Sequence, residues 1–206
     1  MTPITRREML TRLGAVLGAI AGSTAAISLT APARARLQTA AAETFVALTP
    51  VEAETVRAVV ARLIPADENG PGALEARADR YIDRALAGAL KASRAAYTAG
   101  LADLNARAQA AKGVPFTRLS SADQDAVLTT FQQTSAQFFN LIRTHTIQGT
   151  FGDPFYGGNA NFIGWNLIGY PGARTSVSAD LQRLDKKPES SRKSAYDYAM
   201  FSKGEV

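Results

Sequence analysis

The chain of 206 residues contains no cysteine and one histidine. The first absence excludes disulfides, thiolate zinc sites, iron–sulfur clusters and c-type haem attachment. The second removes most metal sites built on several imidazoles. Charge of one sign is also scarce once the N-terminus is set aside. The formal net charge is +5, but residues 1–35 carry Arg6, Arg7, Arg12 and Arg34 against Glu8 alone. Without them, the 23 basic and 18 acidic side chains become 19 and 17. A nearly neutral body has no electrostatic footprint for phosphate, so nucleic-acid binding is not expected. Any redox role must rest on something that this chain binds.

The N-terminus reads as an export signal. Arg6-Arg7 is followed by Glu8, the apolar pair Met9-Leu10 and the uncharged stretch Leu13–Ala31, the layout of a twin-arginine (Tat) leader. Its hydrophobes are diluted by Gly, Ala, Ser and Thr, whereas a membrane span needs about 20 predominantly apolar residues. Small-x-small sites follow at Ala31-Pro32-Ala33 and Ala33-Arg34-Ala35, with cleavage expected after Ala35 and Ala33 as the neighbouring site. The competing reading is a retained anchor, for which Gly14, Gly18 and Gly22 supply a GxxxG face. The Tat route carries folded cargo, usually because a cofactor is inserted before export. A chain without a cofactor site has reason to carry such a signal if the signal serves a partner.

Behind this leader (residues 1–35) and a linker (36–48), periodicity predicts an all-α domain over 49–172 and an extended tail over 173–206. Thr49-Pro50-Val51-Glu52 is a capping box with proline at the first helical position. Val56, Val59, Val60 and Leu63 then recur on one face until Pro65. Further helical patterns run from about Glu75 to Lys91 and from about Ser93 to Lys112, with Gly113 as the stop. A box at Ser121–Gln124 opens a fourth, and Phe138, Phe139, Leu141, Ile142 and Ile147 mark a fifth. Asp79 and Asp83, four apart, read as a solvated surface pair.

The 24 residues from Gly149 to Gly172 hold seven of the sixteen glycines, six of the sixteen aromatics and a single charge, Asp153. That much glycine argues against regular helix, and that many rings argue against a solvated linker. The segment must pack on its own helices or on another protein. Trp165 is expected to close the chain's own core. Phe155, Tyr156, Gly157, Gly158, Asn159 and Tyr170 are expected at a partner interface, with Tyr196, Tyr198 and Phe201 of the tail as a second arm. Gly157-Gly158-Asn159 also admits an anion cradle, but no GxGxxG or GxxxxGK[ST] accompanies it. His145 reads as a structural helix histidine bracing the loop behind it. The alternative, a general base oriented by Asp153, lacks a nucleophile.

His145-Thr-Ile-Gln-Gly149, Gly152-Asp-Pro-Phe-Tyr-Gly-Gly-Asn159, Gly164-Trp165 and Ile168-Gly-Tyr-Pro-Gly172 together resemble the gluconate 2-dehydrogenase subunit 3 family. So do Leu63-Ile-Pro-Ala-Asp67 and Gly70-Pro-Gly-Ala73. The resemblance covers residues 45–172 and leaves the tail uncovered. It implies a small, non-catalytic subunit beside a larger GMC-type flavoprotein. That partner holds FAD, sometimes with an iron–sulfur cluster, and a cytochrome c subunit with haem c often takes the electrons. The small subunit would lend its signal to the folded partner at the Tat translocon and stay bound in the periplasm. The rivals are a transient export chaperone and a stand-alone periplasmic enzyme using His145 and Asp153.

Overall fold

The computed structural model describes residues 44–183, 185 and 188–201. The expected signal and cleavage residues Arg6, Arg7, Ala33 and Ala35 lie outside the described residues. Residues Phe45–Val206 cluster as one unit. Its regular elements are α1 (Pro50–Leu63), α2 (Ala78–Ala87), α3 (Arg94–Lys112), α4 (Ser121–Thr134), α5 (Ala136–Phe151) and the short α6 (Ile163–Leu167), joined by turns and 3-10 segments. The described residues form no β-strand, and their one bridge, Asp67 to Gly70, closes a tight turn. The fold is all-α.

Helix α1 begins where the capping box stands. The Thr49 hydroxyl accepts from the Glu52 amide, and the Glu52 carboxylate accepts from the Thr49 amide at 2.8 Å. Ala53, Val56, Val59 and Val60 turn inward, and Pro65 cannot continue the helix. The carboxylate of Glu52 also receives two bonds from Arg94 at the start of α3, at 2.9 and 2.6 Å. Arg94 spends its Nε on the Ala47 carbonyl at 3.0 Å.

The second helix is shorter than its periodicity suggests. Ala73–Arg77 is a series of turns, Arg77 sits in the left-handed region at φ 60°, and α2 ends at Gly88. Lys91–Ser93 then forms a separate 3-10 turn. The Asp79 and Asp83 pair is not a solvated surface: both residues are 2% exposed. Asp83 accepts the amides of Val46, Ala47 and Leu48 at 2.7 to 2.9 Å. Residues 45–48, at the end of the expected linker, are thereby held on the helical unit. Non-helical backbone packed on a helix must find acceptors for its amides, and one carboxylate supplies all three. Asp79 meets Arg57 at 3.1 Å.

Helix α3 stops at Gly113, whose φ of 73° is left-handed. The cap of α4 lies one residue before the expected box. The Ser120 hydroxyl accepts the Asp123 amide at 3.2 Å, which frees Gln124 to donate from a buried position to the Phe116 carbonyl at 3.0 Å. At Ser135 the chain leaves helical geometry for one residue. Its hydroxyl donates to Asp103 at 2.8 Å, so α4 and α5 meet at a corner fastened to α3.

Helix α5 runs on through Gly149 to Phe151, past the point where glycine density argues for its end. Tertiary packing overrides the propensity. A Cβ on Gly149 would stand 2.9 Å from the Ala78 Cα and from the Tyr81 ring, so this glycine lets α2 and α5 approach closely. On α3, a Cβ at Gly100 would overlap the Phe138 ring. Tyr97, Phe116, Phe131, Leu101, Leu104 and Ile142 are fully buried between the helices. The rings of Tyr97 and Phe131 meet Phe138 edge-on at 5.4 and 6.1 Å.

Candidate functional site

Behind the last turn of α5, residues 152–172 fold as short turns and the short helix α6, organised by Asn159. Its backbone is left-handed at φ 44°, a conformation that Asn tolerates better than most residues. Its side chain is completely buried. The amide nitrogen donates to the Gly149 carbonyl at 2.7 Å, and Nδ2 donates to the Gly152 carbonyl at 2.8 Å. Oδ1 accepts the Gly164 amide at 2.8 Å and the Trp165 amide at 3.4 Å. One residue thus satisfies carbonyls at the end of α5 and amides at the start of α6, groups that a helix cannot pair internally. A Cβ at Gly158 would overlap the Gly149 carbonyl oxygen, and one at Gly164 would overlap that of Thr150. Trp165 is buried and donates Nε1–H to the Phe151 carbonyl at 2.9 Å.

This arrangement corrects two expectations. Asn159 and Gly158 are buried and cannot present themselves to a partner. The Gly157-Gly158 pair admits the chain's own groups: the Arg84 guanidinium lies against Gly157, and the Gly149 carbonyl against Gly158. With both polar ends of Asn159 spent inside the loop, the anion-cradle reading loses its donors.

His145 also departs from the expectation of a brace for this loop. Its Nδ1 meets the Tyr97 hydroxyl at 3.0 Å, and the two rings lie parallel with centroids 5.8 Å apart. Residues 138, 142 and 145 fall on the α5 face that looks toward α3, so the ring is directed into the core. Burial pushes the imidazole pKa below its usual value and the Tyr97 hydroxyl above its own. A neutral ring accepting from the phenol is the arrangement this environment favours. Asp153 is engaged elsewhere. It caps the turn Pro154–Tyr156 by accepting the Phe155 amide at 2.9 Å, and it accepts Ser194 Oγ at 2.5 Å and the Ala195 amide at 2.8 Å. The two residues of the stand-alone enzyme reading are therefore committed to different partners. Among the described residues, no group of three or more His, Asp and Glu side chains could hold a metal ion.

The loop turns its polar groups and the Trp165 ring inward and leaves Phe155, Tyr156 and Tyr170 outward. Phe155 is 60% exposed and Tyr156 51%. Ile168, Tyr170, Met200 and Phe201 are also exposed, while Tyr196 and Tyr198 are half-buried. The tail is not a separate arm. Tyr196 stacks on Phe155 with centroids 3.8 Å apart, and its hydroxyl meets that of Tyr156 at 2.6 Å. Tyr198 donates to the Ala173 carbonyl at 2.9 Å. The parts of the site missed by periodicity are Asn159 as a hub, Tyr97 as the histidine's partner and Asp83 as a clamp. Only the first left a trace in the sequence, as an Asn directly behind a Gly-Gly pair.

These features define an all-α domain whose irregular segment is fastened from within and offers aromatic surface. The chain belongs to the gluconate 2-dehydrogenase subunit 3 family, whose model matches residues 34–172. It is accordingly an accessory subunit of a multi-subunit dehydrogenase. The matched segment includes α1 to α6 and the loop, and ends before the tail. No curated protein and no solved structure matches the chain.

Proposed function

We propose that this chain is the non-catalytic small subunit of a periplasmic, FAD-dependent sugar or polyol dehydrogenase. In this reading, catalysis and FAD reside in a GMC-type large subunit. The small subunit supplies the Tat signal under which that folded flavoprotein is exported, and afterwards stabilises it. The observation that carries the reading is the family match over residues 34–172. It is supported by the loop's chemistry, in which Asn159 and Asp153 satisfy internal partners while Phe155, Tyr156 and Tyr170 face outward. Protein interfaces concentrate Tyr, Trp and Phe at their centres.

The test is co-expression of the tagged chain with its dehydrogenase large subunit and purification from the periplasm. A stable complex with flavin in the large subunit and full sugar-oxidising activity is expected, and the isolated small subunit should be inactive. Release of the small subunit after export would replace this reading with a transient chaperone. Turnover by the small subunit alone would replace it with an enzyme.

A further inference from the structure

The loop and the tail meet around a cleft of about 510 Å³ bordered by Asp153, Tyr156, Ala195, Tyr196, Met200 and Phe201. Its aromatic wall comes from both sides of the family boundary, Tyr156 from the matched segment and Tyr196 and Phe201 from beyond it. Neither half stands alone. Tyr196 is held at its backbone by the bond from its amide to Ser194 Oγ at 3.0 Å, and Ser194 is held by Asp153. Asp197 closes the turn by accepting the Ser194 amide at 2.8 Å. The tail is pinned again where Ser191 donates its amide to the Pro171 carbonyl at 2.7 Å. Asp153 therefore latches the tail to the loop with two bonds, and the latch sets Tyr196 flat on Phe155.

The surface carries charges of both signs, but its carboxylates are engaged by the chain itself. Asp153 and Asp197 are turned onto amides and a hydroxyl. Arg84 lies over Gly157, Arg192 donates to the Asn161 carbonyl at 3.2 Å, and Lys193 sits 5.5 Å from the Tyr198 ring centroid. Among the described residues, none of these three cations has a carboxylate partner.

We infer that the tail is an integral half of the surface that docks the large subunit, latched in place by Asp153, and that it fits an apolar face of that subunit rimmed with carboxylates. The inference rests on the proposed accessory role. Rings supply the buried centre of such a contact, and unpaired cations at its margin steer association more than they add affinity. An aromatic pair brought together before binding spares the ordering cost that a loose tail would incur on association.

Full-length variants, with binding measured against the immobilised flavoprotein large subunit, test this. Ser194→Ala and Ala195→Pro cut the latch from the tail side and leave the Asp153 cap on Phe155 intact; Pro is tolerated at the first position of a helical turn. Each should speed amide exchange at residues 196–198 in the free subunit, leave helical content unchanged and weaken binding at least tenfold. Arg192→Glu with Lys193→Glu should slow association and remove its dependence on salt. Tyr156→Ala is the reference and should weaken binding on its own. If the tail is freed but binding holds while Tyr156→Ala weakens it, the loop docks without the tail and the inference is overturned, the accessory role surviving. If none of the variants changes binding, this surface is not the docking face and the inference falls. Should the two subunits not associate even as wild type, the accessory reading falls with it. Exchange unchanged by either latch variant overturns the latch, and self-association through this face would assign it to a second copy instead.

Discussion

At the scale of single residues, the polar side chains of the loop are there to satisfy backbone. Asn159 is the case that matters most, because both ends of its amide are used in a fully buried site. Asn159→Ala should lower unfolding stability by about 3 kcal/mol, since it strands buried groups costing about 1–3 kcal/mol each and puts a less tolerant residue in left-handed geometry. Asn159→Asp keeps the acceptor for Gly164 but sets a carboxylate against the Gly152 carbonyl, so urea titration should show it destabilised too. The buried histidine makes a prediction in pH. Its pKa is depressed in the folded state, so between that value and the ordinary 6.5 or so the unfolded chain binds more protons. Stability then rises with pH across this window and is lost as pH falls below about 6.5. Thermal midpoints between pH 7.5 and 5 should decline in the wild type and stay flatter in His145→Gln.

At the scale of elements, two junctions carry information that periodicity does not. The first is the Glu52–Arg94 bridge between α1 and α3. Burial alone would raise the Glu52 pKa, but hydrogen bonds from Arg94, Thr49 and Thr98 outweigh it and hold it near 2. A lowered carboxylate pKa contributes stability that is complete above its unfolded value of about 4.5 and lost as pH falls toward 2. Arg94→Ala should flatten the acid limb of the stability profile over that interval. The carboxyl is partly solvated, so the loss at neutral pH should be of order 1 kcal/mol. The second junction is the crossing of α2 and α5 at Gly149. Gly149→Ala would improve intrinsic helix propensity by roughly 1 kcal/mol, yet its Cβ would press on Ala78 and Tyr81. Overpacking of about 1–3 kcal/mol should win, and the variant should unfold at lower urea than the wild type. The reverse result would mean that the two helices can separate without cost.

At the scale of the whole molecule, the proposed leader and the helical unit answer different demands. A chain without cysteine carries a twin-arginine motif, and the proposed reason is the cargo. Replacing Arg6 and Arg7 with Lys should leave both this subunit and its flavoprotein in the cytoplasm, as fractionation and flavin content would show. Delivery of the flavoprotein to the periplasm without it would defeat the escort role. The helical unit would then be a partner in the complex and nothing more.

Local rules were enough for the helix class, the α1 capping box, the Gly113 stop and the expectation that residues 149–172 pack rather than float. Each follows from properties a residue carries with it: a hydroxyl that caps, a ring that avoids water, a glycine that accepts positive φ. The sequence also carried the family, through the Asp-Pro-Phe-Tyr-Gly-Gly-Asn stretch and its neighbours. What only the tertiary structure decided were matters of who meets whom. Asp79 and Asp83 are indistinguishable from a surface pair until residues 45–48 arrive with three amides in need of an acceptor. Gly149 reads as a helix breaker until α2 comes within contact of it. Asn159 reads as an exposed turn residue until the ends of α5 and α6 converge on its side chain. Burial, register and partnership between distant residues depend on packing that no local pattern encodes, and that is why the loop's composition and the inward Trp165 were legible while the burial of Gly158 and Asn159 was not.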